Sequence, residues 1–317
     1  EYLFVGTTRT QGHLPKAVLE SESTVVTLSW AATGDEVEDK NVLIENAVGV
    51  FEALRPAVLV HAAAMSSPAS CECDEKLAFA SNAPAVLLQS LLIAERNADF
   101  KCRIIYISTD QVYPGARSVE QGGGNSWSEV PAEQLPPPCN AYGRSKLAFE
   151  VLLKESRQYS EVFVFRASNM IGPPVSNTNG KKFLQWLDEA LALAEKQGKP
   201  VDLFVDEIRS FVYVKDVARA ITAACTVDLQ QQSSNTFRTY NIGGNKAMSR
   251  VDLGICVAKL RGFDREKVIR SVVRETIIMP YLSPLDITMN SQAITRDLGV
   301  AFTNISDALR VSLQMVS

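Results

Sequence analysis

Along the first half of the chain, short apolar runs alternate with longer stretches of helical periodicity. The runs are YLFVG (2–6), TVVTLS (24–29), AVLVHAA (57–63), RIIYIST (103–109) and EVFVFRAS (161–168). They are β-branched and apolar on both faces, as parallel strands buried between two helix layers are. Periodicity predicts helices over about 42–54, 75–97 and 141–158. This strand–helix alternation predicts an α/β chain with a doubly wound parallel sheet. Right-handed crossovers then give the Rossmann arrangement.

Beyond a Gly/Pro-rich break at 172–180 (GPPVSNTNG) the pattern loosens. A helix over about 181–197 leads into VDLFVDEIRSFVYVKDVARAI. A short strand TYNIGG (239–244), a helix from about 249, a strand near 268–273 and a helix near 304–315 follow. The expected division is a Rossmann core over 1–170 and a smaller C-terminal substrate lobe, mainly 171–317. Segments near 211–243 are expected to return to the core. Residues 114–138, rich in Gly, Pro, Ser and Glu, form a loop long enough to be a lid or binding loop.

Composition narrows the function. The net charge of −4 on 317 residues gives no basic footprint for nucleic acid. No wholly apolar run reaches the ~18 residues that suggest a membrane span. Of the six cysteines only Cys71 and Cys73 are close, and His13 and His61 do not complete a metal-ligand pattern. No metal is expected, and the thiols read as reduced, in a cytoplasmic or organellar setting. The chain opens at Glu1 and enters an apolar run at once, so it reads as lacking its native N-terminus; a removed targeting segment would not be visible.

Two stretches carry candidate chemistry. After the first run comes G-T-T-R-T-Q-G, with Gly6, Thr8, Arg9 and Gly12. A strand–glycine loop–helix unit aims backbone N–H groups and a helix N-terminus at a pyrophosphate. The second run ends in Ser29-Trp30, without the acid that usually holds the ribose 2′-hydroxyl of NAD. With Arg9 nearby, NADP(H) is favoured over NAD(H).

The other stretch is NAYGRSKLAFE (140–150), where Tyr142 and Lys146 share one helix face at i, i+4. An ammonium beside a phenol stabilises the phenolate and brings its proton into the useful range. Thr109, at the carboxyl end of RIIYIST, would hold the same carbonyl oxygen.

These residues bring a resemblance into view. The chain resembles the extended short-chain dehydrogenase/reductase family. Within it, the chain is similar to the branch of dTDP-4-dehydrorhamnose reductase and the regulatory β subunit of methionine adenosyltransferase, above all its plant-type members. The similarity runs through HAAAMSSPASCECD (61–74), ISTDQVYPG (107–115), NAYGRSKLAFE, DEIRSFVYVKDVARAI (206–221), YNIGG (240–244) and SPLDITMN (283–290). The resemblance implies that Thr109, Tyr142 and Lys146 are catalytic, with Lys146 also holding the nicotinamide ribose. It implies cofactor contacts at Gly6, Gly12, Ala62, Ala63, Ala64, Ser168, Asn169 and Met170, and places Asn82 near the active site. Gln111 and Arg209 are the candidate substrate contacts.

Three positions depart from the family pattern. Arg9 stands for the middle glycine of the loop, Gln11 for an apolar residue, and Ser283 for an arginine before Pro284. The expected activity is an NADP(H)-dependent carbonyl reductase, with a nucleotide-linked 4-keto deoxy sugar as substrate. The alternative is a non-catalytic regulatory or structural subunit that keeps the fold and binds a protein partner.

Overall fold

The computed structural model describes residues 37–115, 126–156, 161–174, 182–227 and 236–314. The first two predicted strands and the glycine loop, with Gly6, Thr8, Arg9, Gly12 and Ser29, lie outside the described residues. In chain order the first elements are helix α1 (Val37–Leu54), strand β1 (Val58–His61), helices α2 (Pro68–Cys73), α3 (Glu75–Asn82) and α4 (Ala85–Asn97), strand β2 (Arg103–Thr109), helix α5 (Ala141–Glu155) and strand β3 (Val162–Ala167). Then come β4 (Met170–Ile171), α6 (Phe183–Gln197), β5 (Val201–Phe204), β6 (Ile208–Ser210), β7 (Val212–Tyr213), α7 (Val214–Thr226) and β8 (Phe237–Ile242). The chain continues through β9 (Ala247–Ser249), α8 (Arg250–Arg261), α9 (Arg265–Val268), β10 (Ile269–Val272), α10 (Gln292–Leu298) and α11 (Ile305–Ser312).

The central described sheet has the order β1-β2-β3-β8, with every pairing parallel. Its strands are apolar on both faces because each face has its own core. Along β2, Ile104 and Tyr106 join Phe51, Leu91, Phe149 and Val164 on one side. Ile105 and Ile107 join Phe163, Phe165, Val217 and Tyr240 on the other. Period-2 alternation thus feeds two helix layers from one strand, giving a Rossmann-like α/β fold. A separate core, with Leu187, Leu191, Leu203, Leu253, Val257 and Leu309, is built from α6, β5, α8 and α11.

One expectation changes in detail. The helix expected over 75–97 is two helices, because Pro84 has no N–H to continue the first and instead begins the second. Residues 75–97 are apolar enough to cross a membrane by composition, but half of that stretch is buried in this core. The stretch VDLFVDEIRSFVYVKDVARAI holds three short strands and a helix. The three strands pair with three different partners: β5 with β10, β6 with β9, and β7 with β4.

Candidate active site

Strand β2 delivers Ser108 and Thr109, both buried, to the carboxyl edge of the sheet. Parallel α/β sheets place ligands at that edge. Helix α5 begins against the same edge, and its start is tightly specified. The Asn140 side chain accepts from the Gly143 N–H at 2.9 Å, and Glu72 on α2 accepts from the Ala141 N–H at 2.8 Å. These two groups satisfy N–H donors that the first turn leaves open. Gly143 is required by close approach: a Cβ there would lie 2.3 Å from the Gln111 carbonyl oxygen. The first turn of α5 therefore presses onto the loop leaving β2. Asn140 closes the join by donating to the Gln111 side chain at 2.9 Å and to the Leu282 carbonyl at 2.9 Å.

This packing sets Tyr142 against Thr109, with Lys146 reaching the same strand at the Ile107 carbonyl. Burial pushes the Tyr142 phenol above its ordinary range, and a hydrogen bond with Thr109 opposes that rise. The sequence led to the opposite expectation, a phenol lowered by Lys146. The Lys146 ammonium instead donates to the Ile107 carbonyl at 2.6 Å and sits 4.3 Å from the centre of the Tyr106 ring. Burial brings Lys146 itself down to about 7, against the countering charge of Glu150. Beneath it His61 stacks on Tyr106, with ring centres 5.6 Å apart, and burial with the Lys146 charge takes it down to about 3. His61 is therefore neutral near pH 7. Cys71, packed against Ala141 and Tyr142, is pushed up by burial to about 11 and stays a thiol.

The other candidate residues fall into three groups. Ala62, Ala63 and Ala64 follow β1 and are exposed at its carboxyl end. Ser168, Asn169 and Met170 follow β3, and Met170 is exposed. Ser168 donates to Asp110 at 2.7 Å, and Thr109 donates to the other Asp110 oxygen at 3.2 Å. Asn82 is fully buried: it accepts from the Met65 N–H at 2.7 Å and donates to Ser145 at 2.9 Å. It braces the loop after β1 against α5.

Arg209 is also buried, with a filled fork. It donates to the carbonyls of Ile208, Pro284 and Leu285 and to the Ser283 hydroxyl at 2.6–3.0 Å. Ser283, which departs from the family pattern, is thus a partner of Arg209 here. Glu207 next to it accepts from Arg274 at 3.0 Å and Arg250 at 3.3 Å. Arg250 lies over Phe183 at 4.2 Å and, with the amide turned to satisfy both groups, donates to the Asn169 side-chain oxygen at 2.9 Å.

Sequence reasoning missed this arginine cluster, whose members are far apart in the chain. It also missed the buried Glu150–Arg166 pair. Only the spacing of Glu150, four residues after Lys146, hints at that pair. Among the described residues there is no group of three or more His, Cys, Asp or Glu side chains that could hold a metal ion.

Threonine, tyrosine and lysine thus lie at the carboxyl edge of a parallel α/β sheet, the edge where such sheets place ligands. The RmlD substrate binding domain profile matches residues 11–317, and the chain belongs to that family. A trifunctional UDP-glucose 4,6-dehydratase/UDP-4-keto-6-deoxy-D-glucose 3,5-epimerase/UDP-4-keto-L-rhamnose-reductase of Arabidopsis thaliana is 31% identical over 174 residues, 54% of this chain and 23% of the relative. The dTDP-4-dehydrorhamnose reductase of Salmonella typhimurium is 34% identical over 114 residues, 35% of this chain and 34% of the relative. Each match thus spans well under half of the curated relative. Among solved structures, dTDP-4-dehydrorhamnose reductase from Bacillus anthracis, in complex with NADP, superposes with TM-score 0.68 at 21% identity. That alignment covers 98% of this chain and 99% of the other. MoeE5 in complex with UDP-glucuronic acid and NAD gives TM-score 0.70 at 21% identity, over 98% and 89% of the two chains.

Proposed function

We propose that this protein is a nicotinamide-dependent carbonyl reductase, with NADP(H) preferred, acting on a nucleotide-linked 4-keto deoxy sugar. The observation that carries the reading is the meeting of Thr109, Tyr142 and Lys146 where β2 ends against α5. The residues present suit a nicotinamide: three consecutive alanines leave the end of β1 open to a flat ring beside Lys146. Ala62–Ala64, Lys146 and Ser168–Met170 would hold it, and when bound it supplies a hydride. Tyr142 would then give its proton to the developing alkoxide and Thr109 would hold the same oxygen, while Lys146 would hold the nicotinamide ribose. The names of the relatives, reductases and dehydratases of nucleotide-linked sugars, support the substrate class.

One observation favours a second reading, a non-catalytic subunit that binds a protein partner. Arg209, the candidate substrate cation, spends its donors on its own lobe. Titration of the purified protein with NADPH and NADH, with Arg9→Gly alongside, separates the two. Micromolar NADPH binding by the wild type, weaker for NADH, and NADPH oxidation on a nucleotide-linked 4-keto-6-deoxyhexose is the expected result. Absence of binding in the wild type, restored by Arg9→Gly, overturns the reductase and leaves the subunit.

A further inference from the structure

We propose that Glu150, locked in place by Arg166 and Ser108, is the positioning residue that keeps Lys146 charged near neutral pH. The inference deepens the reductase reading, in which Lys146 is the cation of the site.

Glu150 lies one helical turn after Lys146 on the buried face of α5, and both side chains are almost wholly buried. Side chains at i and i+4 are neighbours on a helix. The carboxylate is held from two strands. Ser108 on β2 donates to it at 2.5 Å, and Arg166 on β3 donates through Nη2 at 2.7 Å and through Nε to both oxygens at 3.2 Å. The remaining arm of Arg166 is turned away, donating to the Tyr113 hydroxyl at 3.0 Å and the Val130 carbonyl at 2.7 Å. The pair is thus a fixed dipole whose negative end lies on the helix face one turn from Lys146 and whose positive end is held by the loop at Val130.

The other groups around Lys146 do not supply this charge. His61 from β1 is neutral, and Cys71 from α2 is a thiol. Tyr106 from β2 offers a ring face, Ile107 offers a carbonyl, and Tyr142 on the same helix is a protonated phenol. Among the described residues, Glu150 is the carboxylate that raises the Lys146 pKa against the pull of burial. A buried ammonium without a countercharge gives up its proton instead of paying for desolvation.

The test needs neither substrate nor cofactor. The protein carries lysine labelled with ¹³C at Cε, Lys146→Met assigns the signal, and its pH titration is followed by NMR. The Lys146 signal of the wild type titrates near 7. In Glu150→Gln the midpoint falls by about one to two units, because a carboxylate is lost and Arg166 is left unopposed. Glu150→Gln/Arg166→Gln removes both charges, relieves the stranded guanidinium, and still lowers the midpoint. Ser108→Ala and Glu150→Asp, which keep the charge, stay near the wild type.

Midpoints within about 0.3 unit of the wild type in both neutral variants would overturn the proposal. So would failure of both to fold while Glu150→Asp folds, since Glu150 would then serve the fold alone. A Lys146 that shifts as expected in a protein that reduces no carbonyl would end the reductase reading and leave this one standing.

Discussion

Lys146 and Arg209 are both buried cations, and they are used in opposite ways. Arg209 donates to four oxygens of its own lobe, three of them main-chain carbonyls. An arginine does not give up its proton, so a guanidinium whose two Nη groups each donate twice is a fixed staple. It ties the turn at 283–285 to β6. The described partners of Lys146 are one carbonyl and one ring face, and burial brings its pKa to about 7. A lysine held this way has a proton whose presence depends on its surroundings. The two regions show that burial of a charge marks neither function nor stability by itself. What separates them is how completely the charge is hydrogen-bonded and whether it can titrate.

The sharpest way to break the comparison is at the chemistry. Tyr142→Phe removes one hydroxyl, and kcat should fall by about two to four orders of magnitude, the usual contribution of a general acid. That corresponds to roughly 3–5 kcal/mol in the barrier. The thermal midpoint and cofactor affinity should barely move. Turnover within tenfold of the wild type would remove Tyr142 from the proton path.

Arg209→Met comes next. It strands the carbonyls of Ile208, Pro284 and Leu285 and the Ser283 hydroxyl, and takes one cation from beside Glu207. Loss of one member of a buried charged network costs about 3 kcal/mol, so the urea midpoint should drop with it. If Arg209 instead served the substrate, KM would rise while the urea midpoint held, and its assignment as a staple would fail.

The same contrast explains what was legible in the sequence. RIIYIST carries an unbroken hydrophobic run at 104–107, and its structured form spans the same seven residues, Arg103–Thr109. Tyr142 and Lys146 were legible because four-residue spacing on a helix is a local fact. Pro84 was equally visible, but the apolar periodicity on both sides masked the break it imposes. The fate of Arg209 was not legible. Three of its four partners sit more than seventy residues away, and three of the four are main-chain oxygens that no side-chain pattern reports. Glu207, Arg250 and Arg274 are likewise joined only by the fold. Local spacing reveals the Tyr142–Lys146 pair, whereas long-range arginine contacts leave no periodic trace.

The smallest expected effect tests how far the Lys146 environment reaches. His61 lies beneath the same ring as Lys146, and burial, helped by the Lys146 charge, sets its pKa to about 3 from an ordinary 6.5. Its folded value is depressed, so the unfolded chain binds the extra proton first. Stability is complete above about pH 6.5 and is lost as pH falls from there toward 3. At pH 5 the loss from this one group is about 2 kcal/mol, from the ~1.5 units between pH 5 and the unfolded pKa. His61→Phe keeps a ring against Tyr106 and Phe149 but cannot take a proton. Its unfolding free energy should therefore be flatter than the wild type's between pH 6.5 and 5, by about that amount, whatever its value at pH 7. Parallel slopes for the two proteins would mean that His61 is protonated in the fold. The apolar floor under Lys146 would then be wetter than its packing implies, and the contrast with the saturated arginine of the other lobe would narrow.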